Sequence, residues 1–143
     1  MDEINPTVLV VDDSADELLL VELAARKIQI HVNWRFIEGG AQALSYLAGE
    51  GAYSDRTLHP FPRLMIIDLK MPGVSGYEVL SKLAHLRPPK RPFICVTSCS
   101  DMEEDAEKIK ALGADIFHIK PAGFEGLCQM LEKVTTFYCL SRL

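Results

Sequence analysis

The sequence predicts an α/β protein built on a doubly wound, five-stranded parallel sheet, with each strand followed by a helix, (βα)5. Short apolar runs rich in β-branched residues alternate with longer amphipathic segments along the chain. These runs contain few polar residues, as expected for strands that helices cover on both faces. A length of 143 residues with 48% hydrophobic residues suits one domain with a sizeable core.

Five segments have the composition of strands. The first is TVLVV, a continuous apolar run, whereas the second is half polar and the weakest of the five. Prolines at 88, 89 and 92 interrupt the chain before the fourth segment. The predicted strands are Thr7–Val11, His31–Ile37, Arg63–Leu69, Phe93–Thr97 and Asp115–Ile119.

The segments between the strands have helical periodicity. Ser14 and Glu17 form the spacing of a capping box, which predicts that a helix begins just after Ser14. We expect an apolar stripe on that first helix to face the sheet. The residues at its helical spacing are Leu19, Leu20, Leu23, Ala24 and Lys27. The predicted helices are Ala15–Ile28, Gly40–Leu47, Gly76–Leu86, Asp101–Leu112 and Phe124–Tyr138.

The domain prediction is one unit over residues 1–143, with a core of about 6–135. The connection 48–62 is long for a helix–strand loop, and long loops often carry function. The final helix and tail, 124–143, are apolar for a chain end. Two interpretations stay open: the last helix packs on its own sheet, or its surface forms a homodimer seam.

Charge and composition exclude several functions. The net charge of −5, from 15 basic and 20 acidic residues, argues against direct binding of nucleic acid. We expect no membrane contact and a cytoplasmic location, because no run approaches the roughly 20 apolar residues of a membrane span and the acidic start lacks signal-peptide features. The four cysteines form no C-x-x-C pair, which predicts free thiols and no zinc site.

Polar residues follow four of the five strands. Asp12 and Asp13 follow the first, Asp68 and Thr97 lie at the ends of the third and fourth, and Lys120 follows the fifth. In a parallel sheet the carboxyl ends of the strands form one edge, where ligands bind. Three carboxylates at that edge would repel one another unless a cation lay among them, and Mg²⁺ prefers such hard oxygen ligands.

These residue types are those that a phosphoryl transfer requires. A carboxylate beside Mg²⁺ can attack a phosphoryl group and form an acyl phosphate. A lysine and a hydroxyl nearby would neutralise and hydrogen-bond the phosphoryl oxygens. The alternatives fit less well: a haloacid-dehalogenase-type enzyme would carry D-x-D after the first strand, and a flavodoxin-like cofactor binder would not place an acid pair there.

Four segments carry a resemblance to a known family, and they occur in the expected order and spacing. The sequence resembles the receiver domain of bacterial two-component response regulators over about residues 6–135. The resemblance implies a flavodoxin-like sheet with the strand order 2-1-3-4-5. The matching segments are VLVVDDS (Val8–Ser14), MIIDLKMPGVSG (Met65–Gly76), FICVTS (Phe93–Ser98) and ADIFHIKP (Ala114–Pro121).

The resemblance implies a role for each site residue. Asp68 is the phosphoacceptor. Asp13, Asp68 and the backbone carbonyl of Lys70 bind Mg²⁺ directly, and Asp12 acts in the metal site mostly through water.

A second group of implied roles concerns the response to phosphorylation. Thr97 is the switch hydroxyl, and Lys120 pairs with the phosphoryl group. Phe117 occupies the aromatic switch position, where the family more often has Tyr. Because Phe has no hydroxyl, the switch would act through packing alone.

The function expected from the resemblance is a phosphorylation-dependent signalling switch. A histidine kinase would donate the phosphoryl group, and a downstream protein target or a phosphotransfer protein would read the result. The domain would catalyse only its own phosphorylation and dephosphorylation, so we do not expect an enzyme with a separate substrate. The loop 48–62 resembles that of stand-alone regulators, including those of phytochrome-like kinases. A phosphorylation-independent adaptor and an intermediate in a phosphorelay stay open as alternatives.

Overall fold

The computed structural model describes residues 5–85, 91–98 and 103–140. Its five strands form one parallel sheet in the order β2-β1-β3-β4-β5, which confirms the predicted fold and strand order. Each strand lies within two residues of its predicted bounds. The strands are β1 (Thr7–Asp12), β2 (Asn33–Glu38), β3 (Leu64–Asp68), β4 (Phe93–Ser98) and β5 (Ile116–Ile119).

The α-helices of the described residues are α1 (Ala15–Ile28), α2 (Gly40–Ala48), α3 (Gly76–Leu83), α4 (Glu103–Ala111) and α5 (Phe124–Thr135). The first helix has its predicted bounds, and the Ser14 hydroxyl oxygen accepts a hydrogen bond from Glu17 N at 3.2 Å, as the capping box requires. The last ends as an α-helix at Thr135 rather than at Tyr138, and continues as a π-helical turn to Leu140. The predicted ends Leu86 and Asp101 lie outside the described residues.

The helices cover the two faces of the sheet unequally. Helices α1 and α5 pack on one face, against alternate residues of β1 and β3 such as Val8 and Ile66. Helices α2, α3 and α4 pack on the other face, against Leu9 and Ile67 among others. Because the central strands are buried on both faces, alternate side chains enter two separate cores.

The predicted apolar face of α1 is wrong for its three leucines, although Ala24 is buried as expected. Leu19, Leu20 and Leu23 are 53%, 45% and 45% exposed. The residues of α1 that are buried are Leu18, Ala24 and Ala25. Apolar residues occupy every side of the helix from 18 to 21, so periodicity alone does not select one face. The two alanines allow α1 to lie close beside α5 on the sheet, and this orientation leaves the three leucines outside.

The loop 48–62 is a folded connection held by Arg56. The guanidinium of Arg56 donates to the carbonyl oxygens of Tyr46 at 2.7 Å, Leu47 at 2.7 Å and His59 at 3.2 Å. It also lies 5.8 Å from the ring centres of Tyr46 and Phe61. The last carbonyls of a helix lack partners within the helix, so Arg56 caps the end of α2 and fastens the loop to it.

The end of the chain supports in part the interpretation that the last helix packs on its own sheet. Val134 and Cys139 are buried, and Tyr138 packs against the core beneath α1 and α5. Phe137 is exposed, and Leu143 lies outside the described residues. The homodimer seam stays a prediction.

Three free cysteines, Cys95, Cys128 and Cys139, are buried in the core beneath α1 and α5, and Cys99 lies outside the described residues. Burial raises the pKa of Cys95 to about 12, and that of Cys139 to about 11. Both are therefore protonated, weakly reactive thiols at neutral pH. Among the described helices, none combines the length and the apolar character that a membrane crossing needs.

Candidate functional site

The carboxyl edge of the sheet brings together the three predicted acids. Asp12 is the last residue of β1, Asp13 follows it, and Asp68 is the last residue of β3, the neighbouring strand. One carboxylate oxygen from each of the three lies within 4.8 Å of the others. Parallel pairing of β1 with β3 causes this convergence, because both strands end at the same level of the sheet.

Lys120 completes the cluster from the end of β5. Its ammonium lies 2.9 Å from Asp12 Oδ2 and 3.4 Å from Asp68 Oδ2. Its backbone N donates to Ser98 O at 2.7 Å, which fixes this residue beside β4. The sequence predicted that Lys120 lies near Asp68, but it did not predict that Asp12 is its nearer partner. We call Asp12, Asp13, Asp68 and Lys120 the acidic edge.

The acidic edge carries excess negative charge. Three carboxylates face one ammonium, which leaves a formal charge of −2 (1 minus 3). Burial raises the pKa of Asp68; the charge of Lys120 opposes this rise and that of Asp12 adds to it. Burial alone would lower the pKa of Lys120, but its hydrogen bond to Asp12 and the charges of Asp12 and Asp68 raise it overall. A cation among these groups would relieve their repulsion.

Glu17 is a charged neighbour that sequence reasoning treated only as part of a helix cap. It contributes to the raised pKa of Lys120. Together with Leu20, Lys120 and Phe124 it lines a cavity of about 200 Å³ between α1 and α5. The sequence could have indicated that Glu17 lies near the site, because Glu17 is one helical turn after Asp13 and α1 begins almost directly after β1.

Thr97 lies directly opposite Asp68 in the register of β3 and β4. It is buried, and its hydroxyl donates a long hydrogen bond of 3.4 Å to Ile67 O. Phe117 lies in β5, where it pairs with Val96 of β4, and it is half-buried against the core beneath α2, α3 and α4. The predicted switch residues therefore lie on adjacent strands: Thr97 on β4, next to the acceptor strand β3, and Phe117 on β5, one strand further out.

Lys70 lies on the connection between β3 and α3. Its backbone N donates to Asp68 Oδ1 at 3.2 Å, while its side chain is exposed. The connection is anchored where Leu69 N donates to Thr97 O at 3.0 Å and where Gly76 N donates to Leu69 O at 3.0 Å. The predicted site residues other than Phe117 thus lie at the carboxyl end of the sheet, whereas Phe117 is the second residue of β5.

The donor set fits a hard divalent cation. The described residues supply carboxylate oxygens from three side chains, and the backbone at Lys70 lies against Asp68 through the hydrogen bond from Lys70 N. Mg²⁺ and similar ions prefer oxygen ligands of this type and keep water in their coordination shell. The excess negative charge favours the same occupant.

Comparison with known proteins agrees with this geometry. A family model described as the response regulator receiver domain matches residues 8–132. The chain therefore belongs to the family of two-component response regulator receiver domains.

The response regulator Rcp1 of Synechocystis sp. is 27% identical over 139 residues, which span 96% of this chain and 92% of Rcp1. The structure of RPA3017, a response regulator in red light signalling of R. palustris, has a TM-score of 0.85 and 25% identity, and covers 94% of each chain. The phosphorylated cyanobacterial phytochrome response regulator RcpA has a TM-score of 0.84 and 25% identity, covering 97% of this chain and 96% of RcpA.

A third similar structure, the Mn²⁺-bound form of Rcp1, has a TM-score of 0.79 and 25% identity, covering 93% of this chain and 94% of Rcp1. The acidic edge is thus consistent with the metal sites at which receiver domains bind Mg²⁺ or Mn²⁺.

Proposed function

We propose that this protein accepts a phosphoryl group from a histidine kinase on Asp68, with Mg²⁺ bound at the acidic edge, and signals through contacts with other proteins. The single observation that carries this proposal is the arrangement of Lys120 between Asp12 and Asp68. Together with Asp13, that arrangement would supply a nucleophile, a balancing cation and carboxylates for a metal ion within one small volume.

The transfer would begin with Asp68. One of its carboxylate oxygens attacks the phosphorus, and a P–O bond forms as the bond between phosphorus and the donor's imidazole nitrogen breaks. The released imidazole takes a proton from solvent. Lys120 is close enough to Asp68 to pair with a phosphoryl oxygen once that group arrives. The protein's own contribution is mainly position and charge, as in phosphoryl transfer generally.

The residues that would hold Mg²⁺ are Asp13, Asp68 and the Lys70 carbonyl, with Asp12 acting mostly through water. When bound, Mg²⁺ neutralises charge on the phosphoryl oxygens. Asp13 is the exposed member of the acid cluster, so it is open to an entering hydrated ion.

The phosphorylated state would be read through Thr97 and Phe117. Among the described residues, the hydrogen bond that the Thr97 hydroxyl makes is the long one to Ile67 O, so exchanging it for a phosphoryl oxygen would cost little. Thr97 would then move toward Asp68, and the half-buried ring of Phe117 would move into the space it leaves. The surface formed by α4 and β5 would change shape in consequence, and a partner protein would recognise that change.

The proposed partners are a histidine kinase and a downstream target or phosphotransfer protein. The likeness to RcpA, a phytochrome response regulator, favours a phytochrome-like kinase. Leu20 lines the cavity that also contains Asp12 and Lys120, and Leu19 and Leu23 are exposed on the same helix. These leucines of α1 suit contact with the protein that delivers the phosphoryl group. We propose that residues 1–143 form one receiver domain, and that its C-terminal surface, with Phe137 exposed, pairs in a homodimer.

The test is labelling of Asp68. Radiolabelled acetyl phosphate or a phosphorylated histidine kinase should label the protein in the presence of Mg²⁺, and hydroxylamine should release the label because it is an acyl phosphate. We expect Asp68→Asn to abolish labelling, since an amide is not a nucleophile here. The control is Asp55→Asn, which removes an exposed acid from the loop 48–62 and should label normally. Labelling that survives Asp68→Asn rejects the assignment.

A further inference from the structure

The position of the Lys70 carbonyl depends on the connection between β3 and α3, residues 69–75. Hydrogen bonds fix this connection at Leu69 and at Gly76. Between these two points, its path depends on what packs against it. Mg²⁺ tolerates little error in ligand position, because it requires nearly octahedral geometry with short bonds.

The first residue of α2, Gly40, rests directly on this connection. A Cβ built on Gly40 would overlap the carbonyl oxygen of Val74, and would lie 2.9 Å from Val74 Cγ1 and 3.0 Å from the Val74 carbonyl carbon. Two of these atoms belong to the backbone, so they cannot rotate aside. Gly40 does not have a positive φ, and the requirement for glycine therefore comes from close approach and not from backbone conformation.

The start of α2 is also tied to the other side of the site. The neighbouring Gly39 donates its backbone N–H to Asp12 O at 2.9 Å. One short segment, Gly39 and Gly40, thus contacts both the end of β1, which carries Asp12, and the connection that carries Lys70. The spacing between these two parts of the metal site depends on how closely α2 can approach.

We propose that Gly40 is a positioning residue for the metal site: its missing side chain allows the connection to lie where the Lys70 carbonyl and Asp68 face Asp13. This inference rests on the proposed function. A methyl group at position 40 would displace the connection by about 1 Å, a displacement large enough to disturb catalytic geometry. Ca²⁺ accepts longer and more variable bonds than Mg²⁺, so the displacement should affect Mg²⁺ more.

The experiment compares metal affinities by isothermal titration calorimetry on the full chain. We expect Gly40→Ala to weaken Mg²⁺ binding roughly tenfold or more, the range seen when groups that orient metal ligands are changed. Its loss of Ca²⁺ affinity should be smaller. The matched control is Ala41→Gly, which lowers the helix propensity of α2 at an exposed neighbouring position and adds no atom that could meet Val74. It should leave both affinities unchanged.

Three results would overturn the inference: unchanged Mg²⁺ affinity in Gly40→Ala, equal losses for Mg²⁺ and Ca²⁺, or the same loss in Ala41→Gly. If Gly40→Ala does not fold, Val74→Ala replaces it. That variant removes the side chain that packs on Gly40, and should lower the preference for Mg²⁺ over Ca²⁺. An unchanged preference would also overturn the inference. If the unaltered chain binds no Mg²⁺, the proposed function itself is rejected. If the unaltered chain binds Mg²⁺ and the variants bind it equally well, only the role of Gly40 is rejected.

Discussion

The acidic edge and the loop 48–62 each gather polar groups around one cation, and they differ in how well the charge is matched. In the loop, Arg56 donates to three carbonyl oxygens and lies against two aromatic rings. At the acidic edge, Lys120 faces three carboxylates, and burial raises the pKa of Asp68. The loop is electrostatically satisfied, whereas the edge is not.

This difference separates a structural cluster from a functional one. A satisfied cluster stabilises the fold and has little to gain from a ligand. A cluster with surplus charge destabilises the free protein and is stabilised when a counter-ion binds, which is common at functional sites. Removing a charged group should therefore have opposite effects on stability in the two regions.

The largest expected change is at Arg56. Arg56→Ala removes the guanidinium donor from the carbonyl groups of Leu47 and His59, and one of the two donors from Tyr46 O, which keeps Gly49 N at 3.1 Å. It should lower the free energy of unfolding by about 2 kcal/mol. Urea denaturation followed by circular dichroism measures the change. Labelling of Asp68 should be unaffected.

Arg26→Ala is the matched control for Arg56→Ala. Arg26 is exposed and, within the part of the chain that the structure describes, forms its ion pair with Glu22 of the same helix at 3.5 Å, so its loss should change stability by less than about 0.5 kcal/mol. Similar effects of the two substitutions would show that Arg56 does not hold the loop.

A smaller change of opposite sign is expected at Asp13. Asp13→Asn removes one of three mutually repelling charges, and should raise the free energy of unfolding by about 0.5–1 kcal/mol in the absence of metal. The variant should also lose the rise in melting temperature that Mg²⁺ gives the unaltered chain. Thermal melts with EDTA and with Mg²⁺ measure both. A loss of stability in EDTA would contradict the view that the acidic edge carries unrelieved charge.

The smallest effect on stability is expected at the exposed leucines. Leu23→Ser on α1 should change the free energy of unfolding by less than about 0.5 kcal/mol, because the side chain is already 45% exposed. Phosphoryl transfer from a histidine kinase should nevertheless slow, while labelling by acetyl phosphate stays the same. Leu58→Ser, an exposed leucine of the loop 48–62, is the control and should affect neither donor. If both variants slow the kinase reaction equally, α1 is not a specific contact surface.

The strands and the ends of the strands were predictable because their signals are local. Continuous apolar runs occur where strands are buried on both faces, and the carboxyl edge of a parallel sheet then places Asp13, Asp68 and Lys120 together without any further information. The capping box likewise places the start of α1, because its hydrogen bond joins residues only three apart.

The failures share a different origin. The buried face of α1 depends on how closely α5 approaches, and neither helix carries that information alone. The cap that Arg56 forms on α2 joins residues nine and ten apart through an irregular loop, a pattern without a periodic signal. The nearer pairing of Lys120 with Asp12 follows from the twist and register of four strands.

The sequence by itself determined the architecture of this protein, its membership of the receiver family and the residues that the acidic edge would contain. Those features follow from hydrophobic patterning and from the direction of parallel strands, which act over short stretches of chain. Only the tertiary structure decided which face of α1 is buried, how Arg56 holds the loop 48–62, and that Gly40 contacts the backbone of Val74. Each of these depends on the distance between two elements, and packing of the whole chain sets that distance.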